Sequence, residues 1–159
     1  MALKKDLTRV ALSFTAVLIF YALAWSGMEY LRTHNGPWEI HFSATDAASA
    51  QVTINQHSLG ITNAIIHFTD TIGLTPADEK IVFDTVSASP PFGKFFYQDL
   101  TFLPGVVTLQ IQGHLIELRP RNLVVNTNQI PWNPAPEISL TATTNTPPIT
   151  YSNVPGFEY

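Results

Sequence analysis

The chain has no cysteine. Disulfides, thiolate nucleophiles, cysteine-ligated zinc or iron–sulfur clusters and thioether-attached haem are therefore excluded. Charged side chains are scarce at 13% of residues against 45% apolar ones, a balance incompatible with disorder along the whole chain. Glycine is limited to eight residues, and no phosphate-cradling glycine loop occurs. The spacings G-x-S-x-G, H-x-H and H-E-x-x-H are missing as well, so common hydrolase and zinc sites leave no signature. Basic residues are few after the N-terminal third of the first fifty positions. From Thr33 onward Lys80, Lys94, Arg119 and Arg121 stand against ten acidic residues. Such a surface is repelled by phosphate backbones, and nucleic-acid binding is not expected.

What the chain does have is one long apolar run. Residues 10–28, "VALSFTAVLIFYALAWSGM", carry no charge over 19 positions. As a helix rising about 1.5 Å per residue the run spans about 28 Å, close to the hydrocarbon thickness of a bilayer. A transmembrane signal anchor over residues 10–30 is predicted, with Trp25 and Tyr30 at the outer interface. Lys4, Lys5 and Arg9 precede it, so residues 1–9 are expected in the cytoplasm and the rest of the chain outside. The expected location is the bacterial inner membrane, with the domain in the periplasm or outside. Ala22-Leu23-Ala24 also fits the A-x-A pattern of a cleaved signal, but the run overshoots the roughly 7–15 residues of a signal core. The run holds no histidine for a haem and no ionisable group at mid-depth for an ion path. Ala11, Thr15, Leu18, Ala22 and Ser26 share one helical face, a mostly small-residue stripe suited to packing on another helix.

After a linker over residues 31–37 the pattern becomes alternating. Strands are predicted at residues 38–42, 51–55, 64–68, 81–86, 94–103, 106–112, 115–119, 123–126 and 138–142, punctuated by Pro, Gly, Asn and Asp. The fold class read from this is all-β: an antiparallel β-sandwich of eight or nine strands, jelly-roll or immunoglobulin-like, over residues 38–130. "TPADEK" reads as one helical turn capped by Thr75. A turn at Gly113-His114 would pair Ile111 with Ile116 and Leu109 with Leu118. A turn at Pro104-Gly105 would pair Phe102 with Val107 and Leu100 with Leu109. Both place the same side of the meander in the core. Residues 131–159 form a Pro-rich arm whose Trp132, Tyr151, Phe157 and Tyr159 are candidates for docking on the domain or on a partner.

No catalytic constellation emerges. The predicted register aligns Asp99, Gln110 and Glu117 in one outward row, which reads as a solvated face rather than a carboxylate pair in a cleft. His41 and His67, with Asp84 or Asp70, would approach metal-ligand geometry only if their strands were neighbours. His114 reads as a turn residue. No metal or other cofactor is expected. The reading is a non-catalytic accessory or structural subunit whose external domain makes protein–protein contacts in a larger membrane complex, electron-transfer and light-harvesting assemblies being examples. The lipid bilayer and other membrane subunits are its expected partners. The alternative is a tethered carbohydrate- or ligand-binding module, using Tyr97 with Trp132 or Trp38 as an exposed aromatic strip.

Overall fold

The computed structural model describes residues 2–85 and 89–145. It opens with one helix, α1 (Ala2–Thr33), which contains a 25-residue segment, Arg9–Thr33, long and apolar enough to cross a membrane at a mean hydropathy of 1.8. None of that segment's residues is buried, and the rest of the chain touches it only near its C-terminal end, where the Leu103 N–H reaches the Arg32 carbonyl. The helix ends where "HNGP" begins. Gly36 adopts φ +69° and its N–H returns to the Thr33 carbonyl, while Pro37 has no N–H with which to continue.

Ten strands follow: β1 (Trp38–Ala44), β2 (Ser49–Gln56), β3 (Ile61–Thr69), β4 (Ala77–Phe83), β5 (Lys94–Asp99), β6 (Val106–Ile111), β7 (His114–Leu118), β8 (Asn122–Val125), β9 (Asn128–Pro131) and β10 (Glu137–Thr141). They form two five-stranded sheets, ordered β10-β3-β2-β1-β4 and β5-β6-β7-β8-β9. In the first sheet the fourth strand returns beside the first, a Greek key, and β10 is added parallel to β3. The second sheet is a plain antiparallel meander. The chain thus passes between sheets only after β4 and after β9. This is neither the jelly-roll nor the immunoglobulin connectivity expected from sequence, in which successive strands alternate more often between layers. "TPADEK" is not a helical turn either, because Ala77 begins β4 and pairs with Ala44.

Period-2 patterning explains the first sheet. Trp38, Ile40, Phe42 and Ala44 are buried while the residues between them are half-buried, and β2 repeats this with Ala50, Val52, Ile54 and Gln56. The apolar side chains among these merge with Val107, Leu109, Ile111, Ile116, Leu118, Leu123 and Val125 of the second sheet into one core. Aromatic edges stitch the layers: Phe83 meets Phe95 at 5.2 Å between ring centroids, and Trp38 meets Trp132 at 5.4 Å. Thr108, Leu115 and Val124, on the opposite face of the second sheet, are buried as well, so that sheet does not have the single buried face its alternation suggested.

The β6–β7 register differs from expectation by two residues. Leu109 opposes Ile116 and Val107 opposes Leu118, because the turn is Gln112-Gly113 with φ of 49° and 84°. Two positive φ values make a type I′ turn, whose twist suits a tight hairpin, and His114 becomes the first residue of β7. A shift of two preserves the faces, so the core side survives the error. Between β5 and β6 a bulge falls at Phe96, and Leu100 to Gly105 form a loop instead of a two-residue turn. Phe102 therefore does not pair with Val107. The row Asp99–Gln110–Glu117 also dissolves: Asp99 opposes Val106, Gln110 opposes Lys94 and Leu115, and Glu117 opposes Thr108 and Val124.

Gly113 illustrates how tightly the turn is built. A Cβ there would strike the Thr143 carbonyl oxygen, and the Thr143 N–H donates to the Gln112 carbonyl at 3.0 Å. Gly113→Ala is expected to cost about 1–3 kcal/mol and to lower the thermal midpoint by several degrees, measurable by circular dichroism.

Candidate functional site: the joint between helix and sheets

The strand directions place the end of β2, the start of β6 and the end of β7 at the same end of the two sheets, beside the C-terminus of α1. Three separate stretches of sequence meet there. The first is the linker, held by Gln56. This residue lies in the inward phase of β2, where Val52 and Ile54 precede it, and is 1% exposed. Its amide Nε2 lies within 2.6 Å of the Asn35 carbonyl, 3.0 Å of the Gly36 carbonyl and 3.4 Å of the Pro37 carbonyl. Its Oε1 accepts from the Leu59 N–H and the Ser58 hydroxyl, both at 2.9 Å. A buried amide is tolerated only when paired, and here both ends are.

The second stretch is the loop after β5. The Asp99 carboxylate accepts from the Thr101 N–H at 3.0 Å, which starts the bend. Leu103 is buried and Leu100 packs on the core, while Phe102 between them is 63% exposed. The Leu103 N–H donates to the Arg32 carbonyl at 2.8 Å, so the loop caps a carbonyl at the helix end. Gly105, at φ +69°, leaves no room for a Cβ against the Asp99 carbonyl, and its own carbonyl accepts from the Trp38 indole at 3.2 Å. The third stretch carries Trp132, whose indole donates to the Arg119 carbonyl at 2.8 Å while its ring packs on Trp38. Between helix and loop lies a cleft of about 410 Å³, lined by Trp25, Met28, Leu31, Phe102, Arg32 and Thr101. Arg32 donates twice to the Glu29 carboxylate, at 2.8 and 3.0 Å.

Most of the residues singled out from sequence lie elsewhere. Ala11, Thr15, Leu18, Ala22, Ser26 and Tyr30 are all exposed along α1, whereas Trp25, also exposed, lines the cleft at the joint. Trp132 is packed on the domain; Tyr151, Phe157 and Tyr159 lie outside the described residues. His41 and His67 are kept apart by β2, on which His41 opposes Thr53 and His67 opposes Gln51. Each has its own carboxylate instead: Asp78 at 2.6 Å from His41 and Glu137 at 3.3 Å from His67. Among the described residues no three His, Asp or Glu side chains are grouped to hold a metal. Tyr97 is exposed, but Trp38 and Trp132 are buried and cannot join it in a strip. His114 is buried at the far end of the sheets, between the Thr141 carbonyl and the Asn126 amide. Gln56 and Phe102 were missed by sequence reasoning. Gln56 had a legible signal, a polar residue on the apolar phase of its strand.

Near the joint, the outer face of the first sheet carries Glu39, with the Lys80 ammonium at 2.8 Å and His57 at 3.8 Å. The hydrogen bond from Lys80 holds the Glu39 carboxyl below its ordinary range. Its contribution to stability is thus present above the ordinary carboxylate range and is lost as pH falls through the depressed value. Lys80→Met is expected to raise the Glu39 carboxyl toward its usual range, followed by NMR titration of the side-chain carboxyl. Gln56→Leu, which leaves three linker carbonyls without their donor, is expected to cost about 1–3 kcal/mol and to make residues 34–37 several-fold more susceptible to limited proteolysis. Comparisons with protein families, curated proteins and solved structures find no match for this chain.

Proposed function

We propose that this chain is a membrane-anchored, non-catalytic accessory subunit. In this reading α1 is an uncleaved single-pass anchor in the bacterial inner membrane with its N-terminus in the cytoplasm. The two sheets are a β-sandwich held on the periplasmic or outer side, where its surfaces contact other subunits of a larger membrane complex. The observation that carries the reading is the joint. A domain that merely needed tethering would tolerate a loose linker, whereas here Gln56 binds the linker backbone and Leu103 binds the helix end. A fixed orientation relative to the helix is useful to a subunit that must present one face to a neighbour.

Three further features support it. The helix is apolar on all sides and its large hydrophobic side chains are exposed, a surface that water does not suit. It runs unbroken through Ala22-Leu23-Ala24, with Trp25 and Met28 facing the loop after β5. The outer face of the first sheet carries a Lys80–Glu39 ion pair and two His–carboxylate contacts, the kind of polar surface that steers docking without adding much affinity.

In mild detergent the protein is expected to co-purify with other membrane subunits, and in alkaline carbonate to stay in the membrane pellet. A monodisperse monomer in the first experiment would overturn the accessory-subunit reading. Release in the second, or a mature N-terminus at Trp25 by mass spectrometry, would overturn the anchor.

A further inference from the structure

We propose that the loop after β5 is a second membrane contact, with Phe102 seated in the boundary between headgroups and hydrocarbon of the bilayer that α1 crosses. The inference rests on the anchor reading and adds that the domain lies directly on the membrane surface rather than standing off from it.

The loop directs Leu100 and Leu103 into the core and leaves Phe102 outside, 63% exposed. An aromatic ring held in water at a loop tip is unfavourable unless something covers it. Its direction is set by its neighbours. The Leu103 N–H is bound to the Arg32 carbonyl, and Gly105 packs closely on the Asp99 carbonyl, so the tip is tied to the end of α1. Phe102 shares its cleft with Trp25, Met28 and Leu31. Along a helix those three residues occupy about 9 Å, bracketing the point at which the charge-free run stops at Met28. The depth of Phe102 is therefore that of the outer interface, where aromatic rings are favoured. The bidentate Glu29–Arg32 pair lies at the same level, as expected where charge begins again.

Continuity selects lipid as the occupant. The cleft continues into the exposed helix surface over residues 10–24, and the medium around that surface fills the cleft as well. The opposite end of the sheets offers a contrast. Ile72 is 61% exposed there and lies beside the β6–β7 turn, with its N–H bound by the Gln112 side chain at 3.0 Å. The length of β6 separates the two sites, on the order of 17 Å.

Because the chain has no cysteine, single labels can be introduced without other changes. Phe102→Cys, Ile72→Cys and Leu18→Cys, all at exposed side chains, would carry a nitroxide in the full-length chain reconstituted into phosphatidylcholine–phosphatidylglycerol vesicles. Power saturation then compares collisions with oxygen, which enters the bilayer, and with a water-soluble nickel chelate. The oxygen-to-nickel ratio at position 102 is expected to be several-fold above that at 72 and to approach that at 18. A ratio at 102 equal to that at 72, with 18 still high, would place Phe102 in water and overturn this inference while leaving the anchor intact. A low ratio at 18 as well would overturn the anchor reading, and this inference with it. Shielding of position 102 from both reagents, or dipolar broadening between chains, would mean that protein covers the ring and would equally overturn lipid contact.

Discussion

A polypeptide leaving a helix must find partners for carbonyls that no longer have an N–H four residues ahead. Here that requirement organises the whole lower end of the molecule. The Thr33 carbonyl is satisfied by Gly36, the Arg32 carbonyl by Leu103, and the carbonyls of residues 35–37 by one side chain, Gln56. Each partner belongs to a different part of the chain: the linker itself, the second sheet and the first sheet. The same few hydrogen bonds that end the helix therefore bring both sheets to it. Trp38 and Trp132 fill the space behind these contacts with their indole N–H groups on backbone carbonyls. Removing Gln56 takes its donor from the half-buried Gly36 and Pro37 carbonyls together, so this one side chain matters more than any single bond it makes.

Much of the fold was readable because side-chain period is a robust signal. The strands of the first sheet stand within a residue or two of the alternating runs from which they were read, apart from the start of β3, which lies three residues earlier, and β4. There "TPADEK" holds a proline and three charges at an edge, and pairing with β1 outweighs the local preference for a helical turn. The second sheet shows what periodicity cannot supply. Faces were right because the turn error was even, but the actual turn required Gln112 in a left-handed conformation, which a glutamine does not advertise. The next connection was misread because Pro104-Gly105 resembles a hairpin turn, whereas the loop it closes starts at Leu100. Crossing between sheets, and the parallel addition of β10, depend on contacts distant in sequence and leave no local trace.

The site was legible only in part. Trp25 lies beside the joint, and Trp132 is docked on the domain. Gln56 could have been found as the one polar residue in phase with Ala50, Val52 and Ile54. Phe102 could not, since its exposure follows from the loop conformation rather than from its neighbours in sequence. His114 was hidden for the same reason: a shift of two residues moves it from a turn into a buried strand position.

The direction of β10 has a consequence of its own. It runs parallel to β3, away from α1, and its continuation at Thr143 is bonded to the β6–β7 turn. The backbone thus enters the sheets at one pole and leaves them at the other. A reporter or affinity handle inserted directly after Asn145 would start from the pole far from α1, a full strand length from the helix, and would leave the packing around Trp38 undisturbed.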